Sequence, residues 1–226
     1  MKREEVRNRI KEIGIIPAIR VDSAEHALFA AEAVYQGGIP IVEISLTVPG
    51  ATDVISRLVQ QNPQLVVGAG SVWNAKMART CLDAGAQFLT SDGLHLTVVE
   101  FAAKNAIVVF PGALTPTEVV TAWESGCDFV KVVPCAHIGG EGYMRSLHKM
   151  FPHIPLIAAG GVSQQTASQY ILAGAAALGI GGELIPAGAI QRSQPDRIRE
   201  LARRFVGLVK SARQGKAPQR EGTYIG

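Results

Sequence analysis

Eight short runs rich in Val, Ile and Ala recur along the chain, at residues 15–20, 41–47, 65–72, 87–91, 107–114, 129–135, 155–162 and 177–184. Their starts lie 20 to 26 residues apart, the length of one strand plus one helix and two turns. The runs are almost continuously apolar rather than alternating, as strands covered on both faces must be. Evenly spaced strands separated by helices predict a parallel sheet, and eight of them are enough to close it into a (β/α)8 TIM barrel. A doubly wound open sheet has the same alternation, but the even spacing favours closure.

The segments between the runs carry helical periodicity and helix punctuation. Ser23 precedes the apolar stripe of Ala27, Leu28, Ala31, Ala33 and Val34, and Gly37-Gly38 stops it. Thr115-Pro-Thr-Glu118 reads as a capping box with Pro116 in the first turn, and Gly126 ends that helix. Asn74 and Ser163 read as further starts, Gly85 and Gly174 as further stops. Residues 3–13 predict an amphipathic helix capping the bottom of the barrel, and residues 194–214 the last helix. No Pro/Ser-rich linker divides the 226 residues, so residues 1–226 read as one barrel domain with its core at about 15–210. The tail at 215–226 is expected to be loosely ordered.

Composition excludes several functions. The net charge is +3. Its basic excess gathers at the ends, mostly within 192–220, where Asp196, Glu200 and the apolar spacing indicate a solvated helix face, so no nucleic-acid partner is expected. Cys81, Cys127 and Cys135 show no C-x-x-C spacing, which supports neither a disulfide framework nor a metal site and suits a cytoplasmic protein. Residues 1–11 are charged throughout, and no apolar run of about 18 residues appears, so neither a signal peptide nor a membrane partner is expected.

Chemistry in such a barrel belongs at the C-terminal ends of the strands. Seven of the eight lysines fall in helical, terminal or loop-like segments. Lys131, inside Asp128-Phe-Val-Lys-Val-Val-Pro134, does not: it must point into the barrel or face the helices. Burial disfavours an ammonium and so supplies the neutral amine that attacks a carbonyl, which makes Lys131 a candidate Schiff-base nucleophile. The alternative is a buried structural ion pair. Schiff-base chemistry needs neither metal nor cofactor, and none is expected.

Glu43, in Ile41-Val-Glu-Ile-Ser-Leu-Thr47, is a carboxylate in a β-branched strand, suited either to general acid and base work or to a counter-ion role towards Lys131 or Arg20. Arg20 ends the first run, where a guanidinium can grip a substrate carboxylate or simply face solvent. Gly68-Ala-Gly70, Gly160-Gly161 and Gly179-Ile-Gly-Gly182 bring backbone N–H groups to strand ends. The last two follow the seventh and eighth strands, where barrels often bind phosphate.

Ile19-Arg20, Val42-Glu-Ile-Ser-Leu-Thr-Val-Pro49, Gly68-Ala-Gly-Ser-Val72, Phe110-Pro-Gly-Ala-Leu-Thr-Pro116, Phe129-Val-Lys-Val-Val-Pro134 and Gly160-Gly-Val162 together resemble the 2-keto-3-deoxy-6-phosphogluconate (KDPG) / 4-hydroxy-2-oxoglutarate aldolase family. The resemblance implies a class I aldolase acting on a 2-keto-3-deoxy sugar acid, phosphorylated at C6 or not, giving pyruvate and an aldehyde. It implies Lys131 as the Schiff-base lysine, Glu43 as an acid and base working through water, and Arg20 as the carboxylate ligand. Thr47 and Pro111 would line the pocket, Gly160 and Gly161 would serve a distal phosphate, and the protein would be a homotrimer.

The sequence departs from the family pattern around the aldehyde half. Ala159 stands where a threonine is usual and Ser91-Asp92 where Ser-Pro is usual. Pro134-Cys-Ala-His137 replaces the usual continuation, and Gly182-Glu183 replaces Gly-Ser. A carboxylate at Glu183 predicts a poor phosphate site. Two other readings remain open at this point: a phosphosugar isomerase or epimerase barrel, which has no use for a lysine in an apolar strand, and a non-catalytic barrel that senses a keto acid.

Overall fold

The computed structural model describes residues 1–215, so all but the first residue of the expected tail lies outside the described residues. Helix α1 (Arg3–Ile13) precedes strand β1 (Ile15–Ile19). Helix and strand then alternate through α2 (Ala24–Gln36), β2 (Ile41–Ser45), α3 (Ala51–Gln61), β3 (Val66–Gly70), α4 (Ala75–Asp83), β4 (Phe88–Thr90), α5 (Leu96–Lys104) and β5 (Val108–Phe110). They continue with β6 (Gly112–Ala113), α6 (Pro116–Glu124), β7 (Val130–Val132), α7 (Gly140–Met150), β8 (Leu156–Ala159), α8 (Ala167–Leu172) and β9 (Ala177–Ile180). Helices α9 (Ala187–Gln191) and α10 (Pro195–Arg213) complete the fold.

All pairings are parallel, in the order β5-β4-β3-β2-β1-β9-β8-β7-β6. Nine strands make eight staves, because β5 and β6 are one stave broken at Pro111, a residue with no N–H to give to a ladder. β5 pairs with β4 and β6 with β7. Backbone bonds from Asp128, Lys131 and Val133 to the carbonyls of Val109, Pro111 and Ala113 (2.9, 2.9 and 3.2 Å) run along both pieces and close the barrel. The break at Pro111 is the one departure from eight simple strands.

The predicted punctuation largely holds. The side chains of Ser23, Asn74 and Thr115 each accept the backbone N–H three residues on, and Thr115 and Glu118 form the reciprocal capping box. Ser163 behaves differently. Its N–H donates to Thr166 Oγ1 (3.0 Å), making a turn that delays α8 until Ala167. Helix α1 covers the bottom of the barrel with Val6 and Ile10, and Arg213 at the end of α10 donates to the carbonyl oxygens of Lys11 (2.7 Å) and Ala176 (3.1 Å).

Register decides which side chains enter the barrel. Ala18 aligns with Glu43, Glu43 with Gly68, Gly68 with Phe88, and Thr90 with Phe110. Across the rest of the barrel, Gly112 aligns with Lys131, Lys131 with Ile157, and Ala159 with Gly179. Aligned residues share a face, and residues two apart on a strand do too. The lower interior is filled by Phe88, Phe110 and Phe129, with ring centroids 5.3 and 5.9 Å apart. Above them the inward positions turn polar or small: Glu43, Ser45, Gly68, Gly70, Thr90 and Lys131.

Candidate active site

Lys131 points into the barrel, not at the helices. Only 5% of its surface is exposed, and its Nζ lies 2.9 Å from Asp92 Oδ1 and 3.5 Å from Thr90 Oγ1. Asp92 continues the inward alternation of Thr90 two residues beyond β4, as Arg20 continues that of Ala18 beyond β1. Asp92 therefore meets Arg20 as well, whose guanidinium nitrogen is 3.1 and 3.3 Å from the two carboxylate oxygens. Burial opposes ionisation of Asp92, but the charges and hydrogen bonds of Lys131 and then Arg20 outweigh it and hold the carboxyl below the usual range.

A chain of hydroxyls reaches the same carboxylate. Thr47 Oγ1 is 2.8 Å from Ser45 Oγ, which is 3.2 Å from Ser71 Oγ, which donates to Asp92 Oδ2 at 3.5 Å. Ser71 adopts a left-handed conformation (φ 59°), unusual without glycine, as the chain turns out of β3.

Glu43 is 3% exposed and has no hydrogen-bond or ion-pair partner among the described residues. Neither Arg20 nor Lys131 brings a nitrogen within 4.0 Å of its oxygens, so the counter-ion reading of Glu43 fails. Its side chain lies across Gly70. A Cβ there would sit 2.1 Å from Glu43 Oε1 and 2.9 Å from its Cγ, so only glycine leaves the carboxylate its place.

These groups open onto one cavity of about 560 Å3, lined by Ala18, Arg20, Glu43, Asp92, Lys131, Val133, Ala159, Gly160, Gly161, Val162, Gly179, Gly181, Gly182, Glu183 and Ile185. Gly160 and Gly161 have φ of +80° and +89°, and Cβ atoms there would press on Pro134 Cα at 2.8 Å and Ala136 Cβ at 2.4 Å. The N–H groups of Gly161 and Gly182 find no acceptor among the described residues and are free for a ligand. Glu183 is exposed and stands on the same rim.

Of the residues singled out from the sequence, Lys131, Glu43, Arg20, Gly160, Gly161 and Gly182 meet around this cavity. Gly70 and Pro111 lie in the barrel wall, the first beneath Glu43 and the second at the β5–β6 break. Thr47 is exposed and tied to Ser45 rather than lining the cavity. Sequence reasoning noted Asp92 only as a departure and gave it no role, although an acidic residue two positions past a strand-end Thr90 was the available signal. No group of three or more His, Cys, Asp or Glu side chains among the described residues is arranged to hold a metal.

Comparisons with known proteins identify the family. The family described as KDPG and KHG aldolase matches residues 6–201. The KHG/KDPG aldolase of Escherichia coli K12 is 33% identical over 197 residues, 87% of this chain and 92% of that protein. The KDPG aldolase of Legionella pneumophila, whose crystal structure holds pyruvate as a covalent carbinolamine, superposes with a TM-score of 0.81 at 27% identity, covering 87% of this chain and 96% of that one. A cube-shaped cage designed by fusing symmetric oligomeric domains superposes with a TM-score of 0.83 at 28% identity over 91% of this chain and 75% of that one. A family match over most of the barrel, joined to a lysine buried inside it beneath an open cavity, settles where the protein belongs: the chain is a member of the KDPG and KHG aldolase family.

Proposed function

We propose that the protein is a class I aldolase that cleaves a 2-keto-3-deoxy sugar acid reversibly to pyruvate and an aldehyde. The observation that carries this is Lys131, held inside the barrel with its Nζ on the floor of a cavity that also contains Glu43, unpaired among the described residues. Neutral Nζ adds to the C2 carbonyl of the keto acid, and loss of water from the carbinolamine gives an iminium ion. The C4 hydroxyl loses its proton as the C3–C4 bond breaks, the aldehyde departs, and the bonding pair moves into the iminium to form an enamine. A proton returns to C3, and water releases pyruvate from Lys131. Glu43 suits these proton transfers because no partner among the described residues holds its carboxylate, and Arg20 supplies the cation for the C1 carboxylate.

The distal end of the cavity favours a hydroxylated terminus over a phosphate. The lining carries Glu43, Asp92 and Glu183 against Arg20 and Lys131, one net negative charge before substrate enters. Free N–H groups on Gly161 and Gly182 suit an oxygen ligand, and Glu183 beside them suits one that donates a hydrogen bond in return. A phosphate dianion there would meet Glu183, a repulsion of roughly one to a few kcal/mol depending on exposure. The reaction test is a panel of 2-keto-3-deoxy acids, with and without a 6-phosphate, assayed for pyruvate release. Non-phosphorylated acids should be cleaved better than KDPG, and Glu183→Ser should improve KDPG turnover by about tenfold. Efficient wild-type cleavage of KDPG, at about 10⁴ M⁻¹s⁻¹ or above, would overturn this reading of the rim; release of pyruvate from no member would overturn the aldolase reading.

We also read the chain as one barrel domain and a cytoplasmic homotrimer. Trp73 and Leu96, half-exposed beside the starts of α4 and α5, support self-association, as does the likeness to a design assembled from symmetric oligomeric domains. The three cysteines are free and buried, and no helix among the described residues is long and apolar enough to cross a membrane. Light scattering that gives the 23.9 kDa monomer mass would contradict the trimer.

A further inference from the structure

Asp92 occupies the position that a substrate carboxylate needs. A 2-keto acid bonded through C2 to Lys131 must place its C1 carboxylate one bond away, against Arg20. In the protein that place between Lys131 Nζ (2.9 Å) and Arg20 (3.1 and 3.3 Å) is held by the protein's own carboxylate. The ion pairs differ in depth: the side chains of Arg20 and Asp92 are 50% and 40% exposed, and that of Lys131 only 7%. The Asp92 side of the cluster is therefore the part free to move out towards solvent, while Lys131 stays where it is.

We propose that Asp92 is an internal surrogate for the substrate carboxylate, which a 2-keto acid displaces from Arg20 as it binds. A carbonyl compound without a carboxylate has no charge to exchange for that of Asp92 at Arg20, and so does not displace it. Among the described residues, the charged or titratable groups facing Lys131 are Arg20 beyond β1, Glu43 on β2, Asp92 beyond β4 and Glu183 beyond β9, while β3, β5, β6 and β8 bring none. Among them only Asp92 is within ion-pair distance of Nζ. Asp92 is thus a positioning residue that holds Arg20 in place for an incoming carboxylate and selects for 2-keto acids, a role that depends on Lys131 being the Schiff-base lysine.

Borohydride trapping of the full chain with pyruvate and with methyl pyruvate, whose ester carries no charge, tests the exchange. In the wild type, half-saturation by pyruvate should come at a lower concentration than by methyl pyruvate. In Asp92→Asn, half-saturating pyruvate should fall by about tenfold, as expected on removing a partly exposed competing pair, and half-saturating methyl pyruvate by much less. Asp92→Ala should do the same, with circular dichroism confirming the fold of both. Half-saturation that falls equally for the two probes in the variants would overturn the proposal. So would folded variants whose half-saturating pyruvate does not move, or whose maximal trapping merely falls at unchanged half-saturation. Absence of any pyruvate trapping in the wild type would overturn the Schiff-base reading as well, which separates the two failures.

Discussion

At the N-terminal end of the barrel, Asp128 accepts hydrogen bonds from Arg3 Nε (3.0 and 3.3 Å) and Nη2 (2.9 Å) and one from the backbone N–H of Val109 (2.9 Å). At the C-terminal end, Glu43 is equally buried and has no partner among the described residues. Both are carboxylates beside β-branched strands, so neither burial nor residue type separates them. What separates them is saturation. Asp128 spends its lone pairs on the protein, tying α1 to the strand edge and closing the bottom of the barrel. Glu43 keeps its own for whatever enters the cavity. A buried charge marks a functional site only where the structure leaves it partnerless and gives a ligand access to it.

The contrast breaks most visibly at Glu43. Glu43→Gln keeps the shape and removes the proton transfer, so turnover should fall by about 10² or more while the thermal midpoint stays close to that of the wild type. Gly70→Ala should lower turnover through the same group, because its Cβ would occupy the space of Glu43 Oε1. Steady-state kinetics and calorimetry on the two variants check both points; a Glu43→Gln protein that unfolds but turns over normally would return Glu43 to the structural class.

Arg3→Ala should show the converse. Asp128 would stay buried with its charge partner gone, at a cost of about 1–3 kcal/mol, and pyruvate trapping at Lys131 should be unchanged. Denaturant unfolding with parallel trapping distinguishes the two ends; lost trapping in folded Arg3→Ala would show that they are coupled.

The smallest effect concerns Asp92. Its carboxyl is held below the usual range in the folded chain, so its contribution to stability is complete above the unfolded value of about 3.9 and is lost as pH falls through the lower folded value. The stability difference between wild type and Asp92→Asn should be flat from pH 7 to about 5 and shrink below about 4. A difference that already declines between pH 7 and 5 would contradict the assigned direction.

Much of this architecture was legible from spacing. Eight apolar runs gave eight staves, and Ser23, Asn74 and Thr115 cap the helices they were expected to cap. Ser163 misled because a serine serves a turn as well as a helix start, and the choice was made by Thr166, three residues on. The β5–β6 break escaped because Pro111 sits inside an apolar run whose periodicity it does not disturb.

At the site, Lys131 and Glu43 stood out as charges in apolar strands. Asp92 did not, because it lies just past a strand, where acidic residues are ordinary, and its meaning comes from two partners 39 and 72 positions away. Local patterns reveal which residues are out of place. Which of them meet depends on barrel closure and register, which no short window contains.

The central claim is that Lys131 is the nucleophile. Incubation with pyruvate and borohydride, followed by peptide mapping, should place one reduced pyruvyl group per chain on Lys131 and leave the other lysines unmodified; Lys131→Met should abolish the label while the barrel remains folded. Label spread over surface lysines, or full labelling of Lys131→Met, would contradict the account.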